Sequence, residues 1–249
     1  MKLLIVEDSI EVAKNAAKII LEIIKEKPNA ILGLATGSTP LETYKLLVED
    51  FNKNKTDWTH ITTFNLDEYI GLDENHNQSY RYYMRENLFK YLNIHMNNVY
   101  FPFLDHKAIK NKYDDFILEK GGIDLQILGI GTNGHIAFNE PDTSFSSITH
   151  IVNLSDQTRK DNARFFNNIS EVPFQAVTMG IKTILQTKRI LLLATGKNKA
   201  KSIKQLVLGN ETINWPCSAL KYHNNLFVII DKEASSLLEN IKINKIIDY

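Results

Sequence analysis

Ile127-Leu128-Gly129-Ile130-Gly131-Thr132-Asn133-Gly134-His135-Ile136-Ala137-Phe138-Asn139-Glu140-Pro141 is the stretch on which the reading of this chain turns. An apolar run ends in three glycines, and Asn133, His135 and Glu140 follow. A short apolar run bounded by glycine reads as a buried strand entering a tight loop. Glycine admits positive φ and the close approach of a ligand. An imidazole and a carboxylate delivered at a strand end are the equipment of general acid–base catalysis. The stretch therefore predicts an α/β protein with a reactive loop where a buried strand ends.

Working outward, a strand over residues 124–130 feeds this loop, and a second buried strand spans 30–35. Thr36-Gly37-Ser38-Thr39-Pro40-Leu41-Glu42 follows that second strand, with Thr39 as N-cap, Pro40 at the first helical position and Glu42 completing a capping box. Such a helix start presents free backbone N–H groups and a positive dipole end, a ready phosphate site. No Gly-Lys-Ser/Thr follows, so it is not a Walker A loop. A third strand over 61–66 runs into Asp67-Glu68-Tyr69, which puts carboxylates where open α/β sheets bind ligands.

The remaining pattern fits this frame. Strands are expected at 3–6, 98–101, 149–154, 175–179, 189–194 and 226–230. Helices are expected from Ser9 (as N-cap), over 75–93 with many aromatics, over 108–120 before Gly121-Gly122, over 155–167 with Arg159, Lys160 and Arg164, and from Thr195 to about 208. Leu32-Gly33-Leu34-Ala35-Thr36-Gly37 is echoed by Leu191-Leu192-Leu193-Ala194-Thr195-Gly196. No linker divides the chain. Alternating strands and helices imply a single domain over 1–249 with one doubly wound, mostly parallel sheet and helices on both faces.

Composition narrows the function classes. Basic and acidic residues balance at 29 each, so no broad field favours nucleic acid or an anionic membrane. No apolar run approaches the ~20 residues of a membrane helix. Cys217, the single cysteine, is expected to be a small buried apolar residue in a cytoplasmic protein. Gly129-x-Gly131-x-x-Gly134 matches the dinucleotide fingerprint literally, but Phe138-Asn139-Glu140-Pro141 interrupts the helix that fingerprint requires. His135 and Glu140 lack the spacing of a zinc site, and no metal is expected.

Taken together, Leu34–Pro40, Phe64–Tyr69, Gly129–Pro141, Asp156-Gln157-Thr158-Arg159 and Ala163-Arg164-Phe165-Phe166 resemble, in order and spacing, the glucosamine-6-phosphate deaminase family. The resemblance implies a Rossmann-like fold and a cofactor-independent aldose–ketose isomerisation of glucosamine 6-phosphate with loss of ammonia, within amino-sugar catabolism. It would class the enzyme with hydrolases acting on an amino-sugar phosphate. Asp67 would carry the proton between C2 and C1, and His135 would open the pyranose ring with Glu140 and Asn133 as partners. Gly37, Ser38 and Thr39 would hold the phosphate with Lys199 and with Arg159, the last from a mobile lid around 151–175. Activated, hexameric members carry basic residues after the active-site loop, where this chain has His150 and Val152. A monomer or small homo-oligomer with simple saturation kinetics is therefore expected, not an allosteric hexamer. The expected partner is a small sugar phosphate. The rival readings are a 6-phosphogluconolactonase-like hydrolase and a non-catalytic sugar-phosphate-binding regulator.

Overall fold

In a computed structural model, residues 1–102, 112–154, 159, 166, 168 and 171–238 are described. Among them, parallel strands form one sheet in the order β1 (Lys2–Val6), β10 (Leu226–Asp231), β9 (Ile190–Ala194), β6 (Leu125–Leu128), β2 (Ile31–Leu34), β3 (Thr62–Asn65) and β5 (Val99–Tyr100). All five residues of β9 are buried, as a strand covered on both faces requires. Ile190, Leu192 and Ala194 enter one core layer, whereas Leu191 and Leu193 enter the other. Shortening one of these central leucines to alanine would cost about 2–5 kcal/mol.

The helices divide between the faces. Helices α1 (Ser9–Glu26), α2 (Leu41–Asn54) and α3 (Tyr80–Asn87) contribute Ile20, Tyr44, Leu47 and Met84 to one layer. Helices α4 (Lys112–Glu119), α5 (Ile181–Leu185) and α6 (Ala200–Leu208) contribute Tyr113, Ile181 and Ile203 to the other. The doubly wound architecture is as expected. No described helix is long and apolar enough to cross a membrane.

Two expected helix caps are corrected. The N-cap of α1 is Asp8, not Ser9: its Oδ1 accepts from the backbone N–H groups of Ile10 and Glu11 at 2.9 and 3.0 Å. A carboxylate there also complements the helix dipole. Helix α2 has Pro40 as N-cap and no side-chain cap, so neither Thr39 nor Glu42 forms a capping box. Glu42 instead pairs with Lys45.

The expectation of one sheet is also incomplete. A second, antiparallel sheet has the order β4 (Asp67–Tyr69), β8 (Gln175–Thr178), β7 (His150–Asn153). Leu66 is the point of transfer. Its N–H donates to Leu34 in the main sheet at 3.1 Å, and its carbonyl accepts from Met179 at 2.7 Å. The expected strands at 149–154 and 175–179 belong to this second sheet. Asn153 is in register with Gln175, and the Leu154 N–H donates to Phe174. Both ends of the segment expected as a lid are therefore held in sheet. The rest of the helix expected over 155–167, with Lys160 and Arg164, lies outside the described residues apart from Arg159 and Phe166. Residues 108–111 of the expected fourth helix lie outside them too.

Candidate active site

Consecutive strands run outward from the middle of the sheet in opposite directions: β2, β3, β5 to one side and β6, β9, β10 to the other. The crevice where the winding reverses is the favoured ligand position in open α/β sheets. A cavity of about 520 Å³ opens there. Its lining gathers the ends of β2, β3, β6 and β9: Gly37–Thr39, Leu66–Asp67, Gly129–Gly131 with His135, and Lys199. Of the nine site residues expected from sequence, six line it: Gly37, Ser38, Thr39, Asp67, His135 and Lys199.

Asp67 begins β4, immediately after the transfer at Leu66, and is 7% exposed. Burial, reinforced by the neighbouring Glu68 carboxylate, pushes its carboxyl up to about 8. Desolvation disfavours a carboxylate, and among the described residues no hydrogen bond offsets it. Proton affinity near neutrality is the property a general base needs.

His135 is set by its own loop. Asn133 Oδ1 accepts from the His135 backbone N–H at 3.2 Å and faces the ring Nδ1 at 2.8 Å. Asn133 Nδ2 donates to Glu140 Oε2 at 2.6 Å, and Glu140 Oε1 lies 3.4 Å from Nδ1. A carboxylate only accepts, so the amide's oxygen must face the imidazole, which fixes a proton on Nδ1 and leaves Nε2 for chemistry. Sequence reading assigned glycine clearance in this loop to a ligand. At Gly131 the clearance is filled by His135 itself, because a Cβ would sit 2.3 Å from the ring Nδ1. The loop is tied to β8: Phe138 N–H donates to Thr178 Oγ1 at 3.0 Å, and Asn139 Nδ2 donates to the Met179 carbonyl at 2.8 Å. Thr178 is also the register partner of Asp67. One strand thus spaces the two acid–base groups.

The other end of the cavity suits an anion. The first turn of α2 has N–H groups without intrahelical acceptors, and Ser38, Thr39 and Leu41 line the cavity beside it. Gly37 has φ 97°, a left-handed conformation that only glycine adopts without strain. Lys199 follows Gly196 in a 3₁₀ turn (Lys197–Lys199), and burial lowers its ammonium from the usual lysine range. Among the described residues no carboxylate pairs with it. The echo of the Gly37 loop around Gly196 is not a second ligand cradle, since the Gly196 N–H donates to Asp231 Oδ2 at 2.8 Å.

Arg159 does not line the cavity: its guanidinium lies 3.9 Å over the Phe174 ring and donates to the Val172 carbonyl at 3.2 Å. Asn133 and Glu140 do not line it either; both lie against His135 Nδ1. Sequence reading missed an aromatic wall, in which Tyr80 and Phe138 stack at 6.0 Å and Tyr69 lies 4.9 Å from Tyr80. It also missed Tyr83, whose hydroxyl donates to the Gly37 carbonyl at 2.6 Å. The aromatic-rich pattern over 75–93 was the available signal, and it reads equally well as core packing. Cys217 is buried, and burial pushes its thiol up to about 12, the state of an inert packing residue.

Comparisons with known proteins identify the family. A family model described as glucosamine-6-phosphate isomerases/6-phosphogluconolactonase matches residues 7–228. A glucosamine-6-phosphate deaminase of Mycoplasma mycoides subsp. mycoides is 50% identical over 98% of this chain and 100% of its own. The solved structure of a monomeric glucosamine-6-phosphate deaminase has a TM-score of 0.91 and 44% identity, covering 95% of this chain and 100% of that one. A 6-phosphogluconolactonase from Trypanosoma cruzi has a TM-score of 0.74 at 21% identity, covering 97% of each chain, a likeness of fold alone. These findings correct the expected hydrolase class. The family is described by isomerases and the near relatives are deaminases. The physical counterpart is Asp67, a buried carboxyl of raised proton affinity.

Proposed function

The chain belongs to the glucosamine-6-phosphate isomerase/6-phosphogluconolactonase family, and we propose that it is a glucosamine-6-phosphate deaminase, converting D-glucosamine 6-phosphate to D-fructose 6-phosphate and ammonia. The observation that carries this reading is Asp67, a buried carboxyl of raised proton affinity in one cavity with His135 and the uncapped start of α2.

In this reading the phosphate is held by the free N–H groups at the start of α2, the Gly37-Ser38-Thr39 turn and the Lys199 ammonium. That anchorage makes the later steps effectively intramolecular. His135 transfers the protons that open the pyranose ring through Nε2, with Asn133 and Glu140 holding Nδ1. The open chain carries an aldehyde at C1, which acidifies the C2 hydrogen. Ionised Asp67 removes that hydrogen to give an enolamine and returns it to C1. The resulting C2 imine takes up water and releases ammonia. In this reading Arg159 leaves Phe174 to join the phosphate, as the expected lid around 151–175 closes.

The reading extends to a monomer or small homo-oligomer in the cytoplasm, acting in amino-sugar catabolism on a small sugar phosphate. A monomeric relative of high structural similarity supports the first point. Incubating the protein with glucosamine 6-phosphate and measuring both products tests the assignment. Ammonia and fructose 6-phosphate in equal amounts are expected. Hydrolysis of 6-phosphogluconolactone instead, or binding without turnover, would replace it with one of the rival readings.

A further inference from the structure

We infer that Tyr83 is a positioning residue, whose hydroxyl holds the Gly37–Thr39 turn at the separation from Asp67 that α3 sets; the inference rests on the deaminase reading for what that turn binds. Three observations carry it. First, α3 is fixed to the strand that bears the base. The Glu68 carboxylate accepts from the backbone N–H groups of Tyr69 and Tyr80 through Oε1 and of Arg81 through Oε2, each at 2.9 Å. Ser79 Oγ completes the cap by accepting from the Tyr82 N–H at 3.0 Å and donating to the Glu74 carbonyl at 2.8 Å. The first turn of α3 is thereby joined to the residue next to Asp67.

Second, Tyr83 lies one turn further along the same helix, with its N–H donated to the Ser79 carbonyl at 3.0 Å. Its hydroxyl donates to the Gly37 carbonyl at 2.6 Å. Among the described residues this is the one side-chain hydrogen bond to the backbone of residues 36–39. Third, Gly37 sits at φ 97° and has no Cβ to limit its rotation. A glycine at such a turn has alternative conformations open to it, and a single well-directed hydrogen bond selects one. The selected one sets the turn that lines the cavity beside the start of α2. The chain of support runs from Glu68 through α3 and the Tyr83 hydroxyl to Gly37.

The ring of Tyr83 packs against the core layer formed by α1, α2 and α3. Tyr83→Phe therefore removes the hydroxyl and keeps the packing. The probe is inorganic phosphate, titrated calorimetrically into the wild-type protein, Tyr83→Phe, Glu68→Gln and the double variant. Loss of one hydrogen bond that orders the site should weaken phosphate binding by about five- to tenfold in Tyr83→Phe. The KM for glucosamine 6-phosphate should rise by the same factor, with kcat changed less than about twofold. In the Glu68→Gln background the further effect of Tyr83→Phe should shrink below about twofold, because both act through α3. Unchanged phosphate affinity in Tyr83→Phe overturns the inference, as do losses that multiply in the double variant or a wild-type protein that binds no phosphate. Phosphate binding is read without turnover. A chain that shows these differences but releases no ammonia keeps the positioning role and loses the deaminase reading.

Discussion

In the proposed mechanism Asp67 concentrates the chemistry and its cost in one side chain. Its carboxyl has a folded-state pKa of about 8, raised from 3.8 by burial and then by Glu68. As a base it must be ionised, so kcat/KM should rise with pH and level off above about 8. The stability sign follows from the same shift. Between pH 4 and 8 the unfolded chain is ionised at this position while the folded chain holds the proton. Stability contributed here is therefore greatest at low pH and lost as pH rises through that window. Asp67→Asn should have little effect on melting temperature near pH 4 and stabilise the fold increasingly up to pH 8, by on the order of a few kcal/mol. Melting curves of both proteins from pH 5 to 9 check this, and a gap that narrows with rising pH would refute it. Gly131 offers a second residue-scale test. A Cβ there would lie 2.3 Å from the His135 ring. Gly131→Ala should displace the imidazole by up to about an ångström and lower kcat by about 100-fold, at a stability cost of about 1–3 kcal/mol. A variant with wild-type kcat would mean that the ring does not need its present seat.

At the scale of elements, β8 is the spacer between Asp67 and the His135 loop, the two halves of the proposed acid–base machinery. It pairs Asp67 in register with Thr178, and Thr178 Oγ1 holds the Phe138 N–H of the His135 loop. Thr178→Val keeps the shape and orphans that N–H, which should destabilise the fold by about 1–3 kcal/mol and lower kcat more than it changes KM. Steady-state kinetics with denaturant melts measure both. A change confined to KM would show that β8 does not space the catalytic groups. This element also marks the limit of what the sequence discloses. The central strands were legible because they are short buried runs, as in residues 31–34 and 190–194, and the carboxylates after residue 66 were legible as a strand end. Nothing local shows that Asp67-Glu68-Tyr69 is itself a strand. Three residues carry no periodicity, and the partner strand is more than a hundred residues away. The cap of α1 was misread for a related reason, since Asp8 and Ser9 are both good caps and only the backbone decides between them. Asn133, His135 and Glu140 were readable as a cluster because they share one loop. Tyr83 was not, since its bond to Gly37 crosses 46 positions.

For the whole molecule, the doubly wound sheet gathers four strand ends at one crevice, and the second sheet adds the base at its wall. A substrate bridging these parts should stabilise them together, so saturating phosphate or substrate should raise the melting temperature of the entire cooperative unit. The account also predicts hyperbolic kinetics from a monomer or small oligomer. Light scattering coupled to size-exclusion chromatography, with substrate saturation curves, checks this, and sigmoidal kinetics from a larger assembly would contradict it. The central claim is narrower than any of these: a proton is carried from C2 to C1 by Asp67. The direct measurement is exchange of the C2 hydrogen of glucosamine 6-phosphate with deuterium from solvent, followed by NMR, in the wild-type protein and Asp67→Asn. Exchange is expected in the wild type and is lost in Asp67→Asn, with phosphate affinity nearly intact. Exchange that survives in Asp67→Asn would remove Asp67 as the base and the mechanism with it.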